Sequence, residues 1–182
     1  MSFPKIVILS LIFVSFQPAW AFPSYLQIGY ASPSIAMSDA RLSAEDPALN
    51  AMVDSFKLYY SFFNDCDYQQ GYQLPRHGIN RKTAIEYLSA GFETELATAI
   101  VDEYTWIMPE LDCLAIKPGD GLPIINEEDL SHLTCSRIND SKIVFSREFT
   151  GCYSPHDRYI YQVEMRLYED QWKISALSLD QQ

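Results

Sequence analysis

The sequence predicts an α+β fold in which N-terminal helices pack on a curved, cone-like antiparallel β-sheet. Between residues 46 and 106, apolar side chains recur every three or four positions, which is the period of amphipathic helices. Beyond residue 109 they alternate with polar side chains, most regularly from Tyr159 to Leu167, as in strands with one buried face. Because the helical segments precede the strands, the pattern favours helices on one antiparallel sheet over a parallel α/β fold.

The first 21 residues have the three parts of a cleavable secretory signal peptide. Lys5 is the only charge among the first 38 residues, the apolar run 6–16 follows it, and Ala19 and Ala21 supply a cleavage site. As a helix that run would rise only ~16 Å, against a hydrocarbon core of roughly 30 Å. We therefore expect export, with the bacterial periplasm as the favoured compartment and no membrane span after cleavage. The alternative is an uncleaved N-terminal anchor.

Composition predicts one acidic domain after the signal peptide. Residues 22–45 are rich in Pro, Ser and Ala and form a loosely ordered lead-in, while residues 46–182 form a single α+β domain. Without Lys5, 12 basic residues face 24 acidic ones, so the net charge is −12. This charge disfavours nucleic acids and anionic lipids as partners, and it would attract a protein with a basic surface.

The helical region contains two strong segments and one short one. Asp46 can cap a helix of about 17 residues, in which Pro47 fits the first position and apolar residues recur from Leu49 to Phe63. A Tyr, Gln and Gly loop is expected to lead to Pro75. Asn80 then caps a short helix that contains Ile85, Tyr87 and Leu88, and Gly91 separates it from a second apolar stripe over residues 92–106.

The strand region begins with a short strand candidate at residues 111–116 and a turn cluster at 117–121. Residues 133–138 and 143–149 flank Asn139-Asp140-Ser141, which is a hairpin signal. Residues 159–168 form the next strand, and a charged turn leads into the last one at Trp172. Apolar residues change parity near Ala176, which predicts a β-bulge there.

An even number of cysteines in an exported chain predicts two disulfide bridges, with three pairings open: Cys66, Cys113, Cys135 and Cys152. Gaps of 47, 22 and 17 residues do not resemble the short paired spacings of a zinc site. We therefore predict no metal and no cofactor.

No complete catalytic motif occurs in the sequence. Asp65 and Asp67 flank Cys66 and suggest a carboxylate pair. Residues this close in sequence do not share a helix face, however, and acids at a helix end are usually solvated. The acidic residues near 119–121 and 127–129 lack the spacing of a calcium loop, so a solvated loop is favoured. His77 lies in a predicted loop. We therefore assign no catalytic residue.

Three segments carry a resemblance to a known superfamily: LNAMVDSFKLYYSFF, IEYLSAGFETELATAI and YIYQVEMRLYEDQWKISAL. Over residues 46–180 the chain resembles small exported bacterial domains of unknown function in the nuclear-transport-factor-2-like superfamily, which are cystatin-like α+β cones. The resemblance implies a curved sheet around helices with a pocket at its mouth, and no particular activity. Pocket-lining candidates, which could equally be core residues, are Tyr60, Tyr87, Tyr161 and Met165.

Three functions remain open from the sequence. The first is a non-catalytic exported module that binds a small molecule or a protein partner. The second is an inhibitor or immunity protein that blocks a basic toxin or cell-wall enzyme. The third is a pocket enzyme of the isomerase, dehydratase or hydrolase class. A deep pocket with an Asp–Tyr or His–Asp hydrogen bond would favour the enzyme.

Overall fold

The structure, a computed structural model, describes residues 46–109, 111–119, 121–150 and 157–181. The predicted signal peptide, the lead-in and Cys152 lie outside the described residues. The helices are α1 (Pro47–Asn64), α2 (Arg81–Leu88), α3 (Thr94–Tyr104) and a 3₁₀ helix at Glu127–His132. None of these described helices combines the length and the apolar character needed to cross a membrane.

The described strands form three antiparallel sheets. Two are hairpins, β1–β2 (Cys66–Gln69, Tyr72–Pro75) and β3–β4 (Thr105–Met108, Cys113–Ile116). The third, the main sheet, has the order β5-β6-β7-β8, with strands Leu133–Asn139, Lys142–Thr150, Arg158–Tyr168 and Gln171–Gln181. Helices together with antiparallel sheets confirm the α+β class.

Helix α1 begins as the sequence predicts. The Asp46 carboxylate accepts a hydrogen bond from the Ala48 N–H at 2.9 Å, and Pro47 occupies the first helical position. The apolar stripe of α1 is buried, including Phe56 and Phe62 at 1% and 0% exposure. Asn80 likewise caps α2 through a capping box, as expected.

The segment between Cys66 and Pro75, predicted to be a loop, forms the β1–β2 hairpin instead. Gln70 and Gly71 adopt positive φ angles of 53° and 86°, which is the backbone that a tight two-residue hairpin turn requires. Strand β3 was also not expected. Both hairpins consist of four-residue strands, which are too short to show a clear alternation.

The main sheet confirms the predicted hairpin and the predicted bulge. Strands β7 and β8 pair in a register that shifts between Glu164 and Met165, opposite Ala176 and Ile174. The outer edge of β8 is also partly paired, because Ile174 exchanges backbone hydrogen bonds with Gly91 and Glu93 at 2.9 and 2.8 Å. The connection between α2 and α3 is thus attached to the sheet.

One main core joins the helices to the inner face of this sheet. Residues of α1, α2 and α3 and alternate residues of the main sheet belong to a single buried cluster. A smaller cluster of Met108, Cys113 and Ala115 lies in the β3–β4 hairpin, with Leu74 of β2 packed against it. The buried residues on the inner face of the main sheet are therefore apolar or aromatic.

The predicted two-disulfide framework is not present. The three described cysteines are free thiols: Cys66, Cys113 and Cys135. In a framework of two bridges, Cys152 could pair with only one of them, so the second bridge would have to join the other two. The physical reason is their placement, since Cys66, Cys113 and Cys135 belong to three different sheets. The main core holds the domain together without them.

Candidate binding site on the inner face of the sheet

A charged residue lies on the apolar face of β6. Ile143 and Phe145 are completely buried, and Arg147 and Phe149 follow them at the same alternation, so the arginine shares their inward face. The Arg147 side chain is only 18% exposed. Arginine side chains are mostly exposed and are almost never fully buried unless they are paired, so an arginine that is mostly withdrawn from solvent on this apolar face marks a specialised position.

Arg147 is held between a carboxylate and an aromatic ring. Its Nη1 atom lies 2.6 Å from Oδ1 of Asp129, whose side chain is 14% exposed. Its guanidinium carbon lies 4.5 Å from the centroid of the Phe149 ring, which is the arrangement of a cation–π contact. Asp129 is positioned by the 3₁₀ helix, because its Oδ2 accepts the Asn126 N–H at 3.0 Å. The ion pair is therefore fixed from both sides.

The arginine retains unused donors in spite of this pair. Its Nε and Nη1 atoms are buried and form no hydrogen bond with the described residues. Nη1 nevertheless contacts Asp129 at 2.6 Å, whereas Nε has no partner among the described residues. Buried N–H groups normally have an acceptor from protein, water or ligand, so these donors have capacity for a further group.

Tyr161 lies directly opposite Arg147 in the register of β6 and β7. It is 1% exposed, and its ring centroid is 6.5 Å from those of Phe56 and Phe149. Its hydroxyl forms no hydrogen bond within the described part of the chain. Burial, and then the hydroxyls of Tyr59 and Tyr104, raise the pKa of Tyr161 well above its ordinary value. The phenol therefore stays neutral and able to donate its proton in a hydrogen bond.

The two neighbouring tyrosines belong to the helical side of the core. The hydroxyl of Tyr59 on α1 accepts the Leu122 N–H at 2.9 Å, and burial is the main cause that raises its pKa strongly. Burial, followed by the charge of Glu103, raises the pKa of Tyr104 to about 12. Tyr59 thus has a hydrogen-bond partner, whereas the Tyr161 hydroxyl has none among the described residues.

The four predicted pocket residues do not lie together. Met165 is completely buried on β7, and it shares the inner face with Tyr161. Tyr60 on α1 is 56% exposed to solvent. Tyr87 is half-buried and stacks on the ring of His77, with centroids 4.7 Å apart and an interplanar angle of 11°. Of the four, only Tyr161 and Met165 face the interior of the sheet.

A His–Asp hydrogen bond does occur, but on the surface. Nε2 of His77 lies 2.9 Å from Oδ2 of Asp65, and these side chains are 36% and 43% exposed. Arg76 links Asp65 to Asp67, with distances of 3.0 and 2.7 Å. The pair therefore lies outside the deep pocket that the enzyme hypothesis requires, and its carboxylate is shared with an arginine.

The Cys66 thiol beside this cluster is poorly suited to act as a nucleophile. Burial, followed by the charge of Asp65, raises the pKa of Cys66. Its Sγ also lies 3.3 Å from the Phe63 carbonyl oxygen at the C-terminal end of α1, where the helix dipole opposes a thiolate. Catalytic cysteines need the opposite environment.

The acidic residues near the 3₁₀ helix are used in structure. Asp129 pairs with Arg147, while Glu127 lies 3.2 Å from Lys57 of α1. Within the described ranges there is no group of three or more His, Cys, Asp or Glu side chains placed to hold a metal ion.

An open groove of about 370 Å³ lies between α1 and the β7–β8 turn. Asp54, Asp170 and Trp172 line it together with small and apolar residues. Glu169 and Asp170 form the turn with positive φ angles of 45° and 66°, which are uncommon for residues other than glycine and asparagine.

The alternation of residues along β6 indicates that Arg147 faces inward, but it does not indicate a function for it. Every second residue from Ile143 to Phe149 is apolar except Arg147, so the sequence places one charged side chain on the buried face. The sequence does not indicate the partner of Arg147, because Asp129 lies 18 positions earlier and comes close to Arg147 only in the folded domain.

In comparisons with known proteins, the chain matches no protein family and none of the curated sequences.

Proposed function

We propose that the chain is an exported, non-catalytic binding module with a cone-like, nuclear-transport-factor-2-like fold. A compact ligand binds on the inner face of the main sheet, between β6, β7 and the 3₁₀ helix. The resemblance in sequence supports the cone and its pocket, while Arg147, Asp129 and Tyr161 supply the polar groups of the site.

The observation that carries this proposal is the buried Tyr161 hydroxyl without a partner in the described residues. An unsatisfied buried hydroxyl costs about 1–3 kcal/mol, and phenylalanine would fill the same space without that cost. Arg147 opposite it has a buried Nε atom that also lacks a partner in the described residues. Two such residues at adjacent positions are explained by a group that binds between them.

The site contains donors but no group suited to catalysis. Arg147 offers N–H donors and no acceptor, and the raised pKa of Tyr161 keeps its phenol neutral. The one carboxylate, Asp129, is already paired with the arginine. Binding and orientation are the chemistry that these three side chains support.

Arginine side-chain NMR on the full chain tests this function. The Nε–H resonance of Arg147 is followed during titration with a library of small polar compounds. We expect at least one compound to shift it saturably, and the R147M variant to lose that binding. The Nε–H of Arg158, which pairs with Glu148 on the surface at 2.6 Å, is the internal control. If every compound leaves Arg147 unchanged, the function is not ligand binding at this site.

A second candidate function is the binding of a basic protein, which the groove at the β7–β8 turn favours. Its carboxylate Asp170 complements a lysine or arginine side chain, as does Asp54, which also lies 3.3 Å from Lys57 in an exposed pair. The Trp172 indole suits a cation. In calorimetric titration with a tetralysine peptide, D54N/D170N should weaken binding about tenfold. The charge-matched control E95Q/E103Q, on α3, should not. If both double variants lose the same affinity for the peptide, net charge alone explains the binding and the groove is not the site.

A further inference from the structure

We infer that the ligand of the inner-face site is an uncharged molecule that offers an amide-type oxygen from a compact apolar body. The inference rests on the proposed function and specifies the ligand class for the same site.

The donors set the first requirement. A guanidinium has N–H groups and no acceptor, and the buried Nε of Arg147 has no hydrogen-bond partner within the described residues, while Nη1 contacts Asp129. The ligand must therefore present an acceptor atom. The neutral Tyr161 phenol on the neighbouring strand adds an O–H donor from the same face. A carbonyl oxygen has two lone pairs and suits two such donors.

The charges set the second requirement. Asp129 lies 2.6 Å from Arg147, and both side chains are more than four-fifths buried. The pair is therefore neutral as a unit. An anionic ligand would place a second negative charge beside Asp129 where little water screens it, and a cation would meet the guanidinium. An uncharged acceptor avoids both penalties.

The surroundings set the third requirement. Along the row that contains Arg147 and Tyr161, the flanking positions on β5 and β8 are Leu133 and Leu179. The Phe149 ring covers one side of the guanidinium. Apart from the polar pair and the tyrosine hydroxyls, this part of the inner face is apolar, so it favours a ligand body without further polar groups.

Two probes of nearly the same shape test the class directly: cyclohexanecarboxamide and cyclohexanecarboxylate. Each is titrated into the full chain at neutral pH while the Arg147 Nε–H and Tyr161 ring resonances are followed. We expect the carboxamide to bind at least tenfold more tightly than the carboxylate. The Y161F variant should keep the fold and bind the carboxamide several-fold more weakly, because it removes one donor and leaves the ring.

The D129N variant provides the charge test. Without the aspartate, the guanidinium is uncompensated, so we expect the carboxylate to gain at least tenfold in affinity while the carboxamide changes little. Tighter carboxylate binding to the unaltered chain would overturn the uncharged class and leave the binding function standing. If neither probe shifts the Arg147 Nε–H resonance while other library compounds do, the amide class is likewise wrong. If no compound shifts that resonance, the proposed function fails as well.

Discussion

Arg147 and Tyr161 face each other across β6 and β7, and each carries a buried polar atom without a hydrogen-bond partner in the described residues. The rest of the main core is almost entirely apolar, with Ser55 and Thr105 as its buried polar side chains among the described residues. Both of these hydroxyls donate to backbone carbonyl oxygens. Of the four buried side-chain polar atoms without a hydrogen-bond partner in the described residues, three therefore lie between these two neighbouring strands, and the fourth is Oγ of Ser89, after α2.

Removal of the charge on Asp129 should destabilise the domain. The D129N variant leaves the buried guanidinium of Arg147 without its counter-ion, which costs about 2–4 kcal/mol in unfolding free energy. Urea denaturation followed by circular dichroism measures the loss. The control is E148Q, which breaks the exposed Arg158–Glu148 pair and should leave the midpoint unchanged. Similar small effects in both variants would contradict a buried ion pair.

Two Tyr→Phe substitutions should have opposite effects on stability. Y161F removes a hydroxyl that has no partner in the described residues, so the unfolding free energy should stay equal or rise by about 1 kcal/mol. Y59F removes the acceptor of the Leu122 N–H and should lower it by about 1–2 kcal/mol. Thermal and urea denaturation compare the two variants. An equal loss in both would mean that a bound water or other group satisfies Tyr161.

The β7–β8 turn should accept asparagine and glycine with a gain in stability. Glu169 and Asp170 both have positive φ angles, which cost energy for residues with a side chain, whereas Asn-Gly suits such a turn. The E169N/D170G variant should gain about 1–2 kcal/mol in unfolding free energy. As a matched control, D140G lies in the β5–β6 turn, where no described residue has a positive φ. That variant should show no gain, and equal gains in both would contradict the strain.

The free thiols should react slowly in the folded state. Burial is the main cause that raises the pKa values of Cys66 and Cys135, so both have less thiolate at pH 8 than an ordinary thiol of pKa 9.0. Their reaction with a disulfide reagent should accelerate as the pH rises beyond that value, and in denaturant at constant pH. Without reductant, denatured protein should incorporate at least three labels per chain. Fewer labels would reveal a disulfide.

The elements that the sequence predicts best are those with long, regular patterns. Helix α1 has a cap at Asp46, a proline after it and a stripe of five turns, so its bounds were predictable within a residue or two. Strands β7 and β8, each of 11 residues, were equally clear, and so was the bulge between them. The four-residue strands β1 and β3 were not expected, because two pairs of alternate residues do not define a period.

The cysteines show where a sequence argument depended on context. An even number of cysteines predicts bridges only if the chain is exported, and only tertiary structure decides whether two of them meet. Cys66, Cys113 and Cys135 are held in different sheets. Sequence separation carries no information about that distance.

The sequence by itself determined the α+β class, the order of the main elements and the face of each long strand that turns inward, because these follow from periodicity and local capping. It also placed Tyr161 on the buried face. Only the tertiary structure decided that Asp129 meets Arg147 and that Tyr161 lies opposite that arginine without a partner in the described residues. Those contacts join distant parts of the chain, and packing brings them together through interactions that no local pattern encodes.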